Sequence, residues 1–266
     1  MVTDSSGAAI AAADITLTMT QTGATKTIKS GEAGEFTFTA LEPGPYAVSV
    51  VAKGFKKFER TSMNLTAGER LSTGNIEMQV GAVTDSITVQ SEGTVVQTAS
   101  AEHSGVLTSS QVDNLTIKGR NVMSLLQLLP GVVETNNPDG PDRNFGIGLN
   151  VNGNRRNATG VSLDGIQTAD AGTGWIATAN ISMDAVAEVK VLLNNFQAEY
   201  GRIRGAGVLM VGKSGSRDFH GSFSYFKRHE QFNANNFFSN RSGIPRPRYR
   251  YNTYSYNING PIMIPK

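Results

Sequence analysis

The last fifty residues constrain this chain more than any other stretch. Eleven of its twenty aromatic residues fall there, together with eight Lys/Arg against Asp218 and Glu230 alone. Phe219, Phe223 and Tyr225 recur at odd positions while Gly221, Ser222 and Ser224 stand among them, the period-2 pattern of a strand with one apolar and one small or polar face. Two kinds of structure use such a strand. One is a soluble sandwich; the other is a membrane barrel with a lipid-facing outer surface, whose signal per segment is weak. The sequence ahead of it has to decide between them.

A length of 266 residues leaves room for two domains. The chain is rich in Gly, Thr, Ser, Asn and Val and has 17% charged residues, which favours strands and turns over long helices. Cysteine is absent, so disulfide and thiolate chemistry are excluded, while export is not. A net charge of +2, with the basic excess confined to the C-terminal segment, argues against a nucleic-acid partner. No apolar run reaches the roughly 18 residues of a membrane-spanning helix. Met1 does not lead into a charged and then apolar leader, so the expectation is either a cytosolic protein or a chain whose true N-terminus lies upstream.

Residues 1–80 read as all β. Asp14–Thr20, Glu35–Thr39 and Tyr46–Ala52 alternate, and turn chemistry stands between them at Asp4–Gly7, Ser30–Gly34 and Pro43–Pro45. Short strands at intervals of about ten residues predict a small β-sandwich. Residues 81–215 read as mixed α and β. Asp85–Val89 is a short strand; Ser109–Asn114 and Gly119–Leu129 carry helical spacing, the second ended by Pro130-Gly131. Asn136–Asn144 is a loop. Ile147–Val151 and Val161–Leu163 are strands closed by Asn152-Gly153 and Asp164-Gly165. A glycine-rich loop at 172–175 precedes Met183–Val191, which starts as a helix and ends as a strand. From 216 to 266 the aromatic alternation predicts strands over Gly221–Lys227 and about Asn252–Ile258, with an Arg-rich loop between.

Convergent reactive groups are not evident. His103, His220 and His229 stand outside any zinc-binding spacing, no G-x-S-x-G elbow occurs, and neither a catalytic residue, a metal site nor a cofactor is expected. Gly201–Gly207 is superficially like a phosphate-cradling loop, but an apolar strand, Val208–Val211, follows where a dinucleotide site needs a helix. Arg155-Arg156 beside Asn154 and Asn157 fits a basic patch for an anionic ligand, but fits a solvated turn better.

The order of motifs carries a resemblance. V-T-D-x-x-G-x-x-I, I-T-L-T, G-E-F-x-F, L-x-P-G-x-Y-x-V-x-V and G-F-K-K-F, over about 75 residues, resemble the carboxypeptidase regulatory-like, transthyretin-like domain found before many exported bacterial modules. That family domain has a strand ahead of V-T-D, so the chain is expected to begin inside its first strand. Asp85-Ser86-Ile87-Thr88-Val89 resembles the TonB box of TonB-dependent outer-membrane receptors, and a plain connecting strand fits these five residues too. Asn121–Val132 (NVMSLLQLLPGV), Val151–Gly165 (VNGNRRNATGVSLDG), Ala187–Val191 and Glu199–Gly207 resemble the plug of those receptors. Lys213–Gly215, Phe219–Gly221 and Asn233–Phe238 are similar to the plug-to-barrel junction of their Oar-like subgroup. Ala206, Gly212 and Gln90-Ser91 depart from the usual residues, the last weakening the coupling motif.

The resemblance implies a mainly β fold: a transthyretin-like β-sandwich (1–80), an α+β plug (81–215) and the first strands of a transmembrane β-barrel (216–266) of about 22 strands, the rest of which is expected to lie outside this fragment. It implies an outer-membrane receptor with a periplasmic N-terminal domain, whose plug moves when the TonB complex pulls. Asp85, Ser86, Ile87, Thr88 and Val89 would pair with TonB by strand addition. Asn154, Arg155, Arg156, Asn157 and Trp175 are candidate plug-apex residues facing an extracellular ligand (glycan, peptide or chelate) or the barrel wall, and the last segment would face outer-membrane lipid. The other readings are an exported adhesion or carbohydrate-binding β-sandwich protein without transport, and an accessory to a processing enzyme.

Overall fold

The computed structural model describes residues 1–81, 86–90, 100–115, 117, 120–134, 149–155, 158–168, 181–201, 203 and 205–263. Its compact units are Met1–Ser214 and Gly215–Lys266.

The first unit holds two separate cores. In the first, β1 (Val2–Asp4), β2 (Asp14–Met19), β3 (Thr25–Lys29), β4 (Gly44–Val51), β5 (Lys57–Leu65), β6 (Ile76–Met78) and β7 (Ser86–Gln90) form two sheets. β1 pairs with β6 in parallel; the larger sheet runs β3-β2-β4-β5-β7. Alternation explains the layering. Ile15, Leu17 and Met19 stand opposite Val50, Val48 and Tyr46, and all six are buried with Val2, Ile76 and Met78 of the smaller sheet. The intervening Thr16 and Thr27 hydroxyls meet at 3.0 Å on the other face.

Glu35–Thr39 departs from expectation. Its burial still alternates, and Phe36 and Phe38 pack edge to face at 6.3 Å, but it is not a strand. Alternation specifies two faces and not a ladder partner. Here the Gly31–Gly34 turn is closed by Gly34 N–H donating to Gly31 O, and Gly34 O accepts from Val2 N. Lys26 Nζ donates to the carbonyls of Thr39 and Ala40, so the Thr39–Ala40 backbone bonds a side chain. The strand beside β2 is instead β3, which the sequence reading missed.

The second core is built on β8 (His103–Leu107), β11 (Thr159–Leu163), β12 (Ile166–Gln167), β13 (Val186–Asn194) and β14 (Ala206–Gly212), ordered β12-β11-β14-β13-β8. Helices α1 (Ser109–Asn114) and α2 (Val122–Leu125) cover it, bringing Val112, Val122 and Leu125 against Val189, Val191 and Val208. Thr108 caps α1 with a reciprocal Thr108–Gln111 box. The expected helix over 119–129 is shorter. Arg120 has φ +53, and Asn121 caps the turn by accepting from Met123 N at 2.9 Å, so the helix begins at Val122 and tightens into a 3-10 turn over Leu126–Leu128. β9 (Val132–Glu134) and β10 (Leu149–Val151) make a separate two-stranded ladder. Asn152-Gly153 and Asp164-Gly165 have positive φ at both residues, the mirror-image turn expected of them.

The second unit is a hairpin: β15 (His220–His229) and β16 (Arg250–Asn259) pair antiparallel over ten residues each. Between them lie a 3-10 turn and α3 (Phe237–Arg241), capped by Asn236. Both expected strands in this region are present.

Candidate functional site

Residues 86–89 of the candidate partner-binding strand Asp85–Val89 are, together with Gln90, already paired. β7 runs parallel to β5 at the edge of the sandwich sheet, with Lys57↔Ser86, Phe58↔Ile87, Glu59↔Thr88, Arg60↔Val89 and Thr61↔Gln90 in register. The pairing stops where β5 bulges. Thr61 and Ser62 together oppose Ala47 of β4, and Ser62 takes φ +64. Arg60, on the last paired stretch, lies over the Phe58 ring at 5.6 Å and donates to Thr73 O at 2.5 Å. Asp85, at the start of the motif, lies outside the described residues.

Immediately after β5, the Thr66–Arg70 turn touches the second core. Glu69 closes the turn by accepting from the Thr66 amide and hydroxyl at 2.9 and 2.8 Å. Ala67 N then donates to Glu188 Oε1 at 2.8 Å, Tyr200 OH donates to Gly68 O at 3.2 Å, and Arg70 stands 3.5 Å from the Glu199 carboxylate. Gly68 has φ +60, and a Cβ there would meet the Tyr200 hydroxyl at 2.1 Å, so the turn requires glycine. Burial raises the Glu188 carboxyl above its ordinary range, against the Ala67 hydrogen bond and Lys190, and nearby Glu69 adds to the rise. Burial also raises the Tyr200 phenol, with Glu102 and Glu199 adding to it.

Beneath this contact lies a buried ion pair. Lys190 Nζ is 2.7 Å from Glu102 Oε1, and both side chains are 2% exposed. That oxygen receives no hydrogen bond of good angle, so charge and proximity hold the pair more than alignment does. The sequence reading missed this pair and the turn contact. A lysine inside the apolar run Val189-Lys190-Val191-Leu192 was the available signal.

The candidate apex residues are only partly brought together. Asn154 and Arg155 are exposed beside the Asn152-Gly153 turn, where Asn154 N donates to Val151 O and Arg155 O accepts from Ala158 N. Gly205 packs against Asn154 and Ala158. Arg156, Asn157 and Trp175 lie outside the described residues, as does the 172–175 loop. Among the described residues, no group of three or more His, Asp or Glu side chains is placed to hold a metal.

The hairpin sorts its side chains by face. Phe223 stands opposite Tyr256, Tyr225 opposite Tyr254 and Gly221 opposite Ile258. This face is apolar and exposed, with Phe223 71%, Tyr256 80% and Ile258 81% accessible. The tyrosine rings stack at 4.8 Å. Ser222, Ser224 and Phe226 pair with Asn257, Ser255 and Thr253 on the other face. There Ser224 and Ser255 hydroxyls meet at 2.5 Å and Asn257 Nδ2 donates to Ser222 at 2.7 Å. The ten residues of β15 at ~3.3 Å each give about 33 Å of strand, which at the tilt of about 40° of barrel strands rises about 25 Å, the height of a membrane barrel's outer apolar band. Beyond β15, Arg250 donates twice to Glu230 Oε1, at 2.9 and 2.7 Å, and clips the connecting loop.

Comparison with known proteins matches three domain families along the chain: the carboxypeptidase regulatory-like domain at residues 1–79, the TonB-dependent receptor plug domain at 96–208 and an outer membrane beta barrel domain at 211–266. The TonB-dependent transporter Oar of Myxococcus xanthus is 24% identical over 221 residues, covering 79% of this chain and 20% of that protein. The chain thus spans about a fifth of the length of this curated relative. Among solved structures, the siderophore receptor PirA of Pseudomonas aeruginosa aligns with a TM-score of 0.44 and 15% identity, over 60% of this chain and 24% of that one. A mutant of the ferric enterobactin receptor PfeA from the same organism aligns with a TM-score of 0.43 and 17% identity, over 60% and 22%.

Proposed function

We propose that this chain, which carries in order the domains of a TonB-dependent outer-membrane receptor, serves in taking up an extracellular ligand across the outer membrane. The observation that supports this most directly is the hairpin behind the plug. One face offers Phe223, Tyr225, Tyr254, Tyr256 and Ile258 to lipid, and the other joins Ser222, Ser224, Ser255 and Asn257 in hydrogen bonds. A soluble domain leaves few such contiguous apolar faces bare, whereas a barrel wall needs one apolar and one polar face on each strand.

In this reading the plug fills the barrel, and Asp85–Val89 is the strand that TonB captures. Strand addition to a partner's sheet suits it, because backbone hydrogen bonds supply the affinity. Asn154–Asn157 and the 172–175 loop contact ligand or the barrel wall. The ligand is a glycan, peptide or chelate, and the work done is gating, with no bond made or broken.

Deleting residues 85–89 from the full receptor tests the reading. The probe is the purified periplasmic domain of the TonB protein from the same cell. Binding is expected to vanish while the receptor's level in the outer membrane is unchanged; binding retained by the deletion variant would sink the assignment.

A further inference from the structure

The apolar face of the hairpin changes chemistry at its loop end. Beyond Tyr225 and Tyr254, the next register pairs on that face are Lys227 with Asn252 and His229 with Arg250, each pair about 7 Å further along the strands. The loop that follows is held by its own hydrogen bonds. Arg246 donates to the carbonyls of Glu230 and Asn233 at 3.0 and 2.7 Å, Asn235 Nδ2 donates to Ile244 O at 2.7 Å, and Asn236 caps α3 by accepting from Phe238 N. Within this framework Phe232, Phe237, Phe238 and Ile244 are each more than half accessible. Phe232 meets the ring of His229, a residue of the Tyr225 face, edge to face at 6.5 Å. A loop ordered in advance presents bare aromatic groups at little further entropic cost.

Charge gathers at the same end. Residues 227–250 hold six Lys/Arg against Glu230 alone, and the Glu230 carboxylate already accepts from Arg250 and from the Tyr249 amide. At the other end of the hairpin Arg217 has Asp218 next to it in the chain. Bare rings among an excess of cations are the combination that holds a segment at a membrane surface: the rings enter the headgroup boundary and the cations meet anionic headgroups.

We propose that the loop over 230–249 is a membrane anchor, lying against the leaflet at the loop end of the hairpin with Phe232 and Ile244 in the headgroup boundary and Arg241 and Arg248 on lipid phosphate. The proposal rests on the reading of the hairpin as barrel wall and goes beyond it by giving this loop to lipid instead of ligand. The anchor continues the apolar face of β15 and β16 past Lys227 and sets how deep the two strands sit. It also makes that seating depend on anionic lipid and weaken with salt.

Single cysteines at Phe232→Cys and Ile244→Cys in the full receptor, labelled with a small fluorophore, test the anchor; the chain supplies no cysteine of its own. The receptor is placed in vesicles of phosphatidylcholine alone or of phosphatidylcholine mixed with phosphatidylglycerol, and quenching is read with aqueous acrylamide and with headgroup nitroxides. In the anionic vesicles acrylamide quenching is expected to be at least about twofold weaker than in phosphatidylcholine, with strong nitroxide quenching. High salt, or Arg241→Gln with Arg248→Gln, should remove the difference; both arginines are exposed, and the pair leaves the Arg246 and Arg250 contacts in place. Equal acrylamide quenching in the two vesicles, as a loop serving a soluble ligand would give, overturns the anchor, and so does a difference that survives loss of both arginines. A cysteine at 223 in the same vesicles separates the two readings. Quenching of 223 by acyl-chain nitroxides while 232 stays open to acrylamide sinks the anchor alone, whereas no such quenching at 223 sinks the barrel wall itself.

Discussion

Removing the Glu102 carboxylate by Glu102→Ala leaves the Lys190 ammonium buried without its partner, in a site where both side chains are 2% exposed. Breaking such a pair costs about 3–5 kcal/mol, so the urea midpoint of the chain should fall sharply. Glu102→Leu with Lys190→Met removes both charges and should stay within about 1 kcal/mol of the parent, because well-packed apolar replacements are often neutral or stabilising. Glu188 makes a second residue-scale prediction with the opposite sense. Its carboxyl is raised above the ordinary 4.5 chiefly by burial, so the folded state prefers the protonated form. The contribution to stability is full below about pH 4.5 and is lost as pH rises through the raised value. Glu188→Gln keeps an acceptor for the Ala67 amide and has no proton to lose. Thermal melts between pH 4 and 8 should show this dependence in the parent and a flatter profile in the variant.

At the scale of elements, the docked Thr66–Arg70 turn is the sensitive joint. Gly68→Ala places a methyl on the Tyr200 hydroxyl at a residue with φ +60, a conformation alanine adopts only at a cost of more than about 1 kcal/mol. Hydrogen exchange should show lost protection at the Ala67 amide, with the strands of both cores unchanged. Protection unchanged at Ala67 would mean that the turn does not depend on glycine. The elements themselves were unevenly legible. β2, β4, β13 and β14 could be read because both faces of each strand are written in its own residues. Glu35–Thr39 alternates equally well and is not a strand, since a ladder depends on a neighbour the alternation does not encode. The 119–129 helix was read too long because Arg120 at φ +53 is a tertiary choice, invisible in spacing. For the same reason the sequence offered Asp85–Val89 as a strand but not its partner β5. Nor could it reveal that residues 67 and 188, far apart in the chain, meet. Of the apex candidates, Asn154 and Arg155 lie together at an exposed turn, while Arg156, Asn157 and Trp175 fall outside the described residues.

At the scale of the molecule, the sandwich, the plug and the hairpin each solve a different solvent problem. The sandwich and plug bury their apolar faces in cores of their own. The hairpin does not: Phe223, Tyr254, Tyr256 and Ile258 remain accessible, and both of its outer strand edges need partners in lipid, where an unpaired backbone group costs several kcal/mol. A barrel wall requires that this face meet lipid. Single cysteines placed in the full receptor at 223, 225, 254 and 256, and at 222, 224, 255 and 257, can be labelled with a small fluorophore in bilayers containing nitroxide lipids. Strong quenching at the first four positions and weak quenching at the second four is the predicted result; equal quenching across the two sets, or none at 223 and 256, would contradict it.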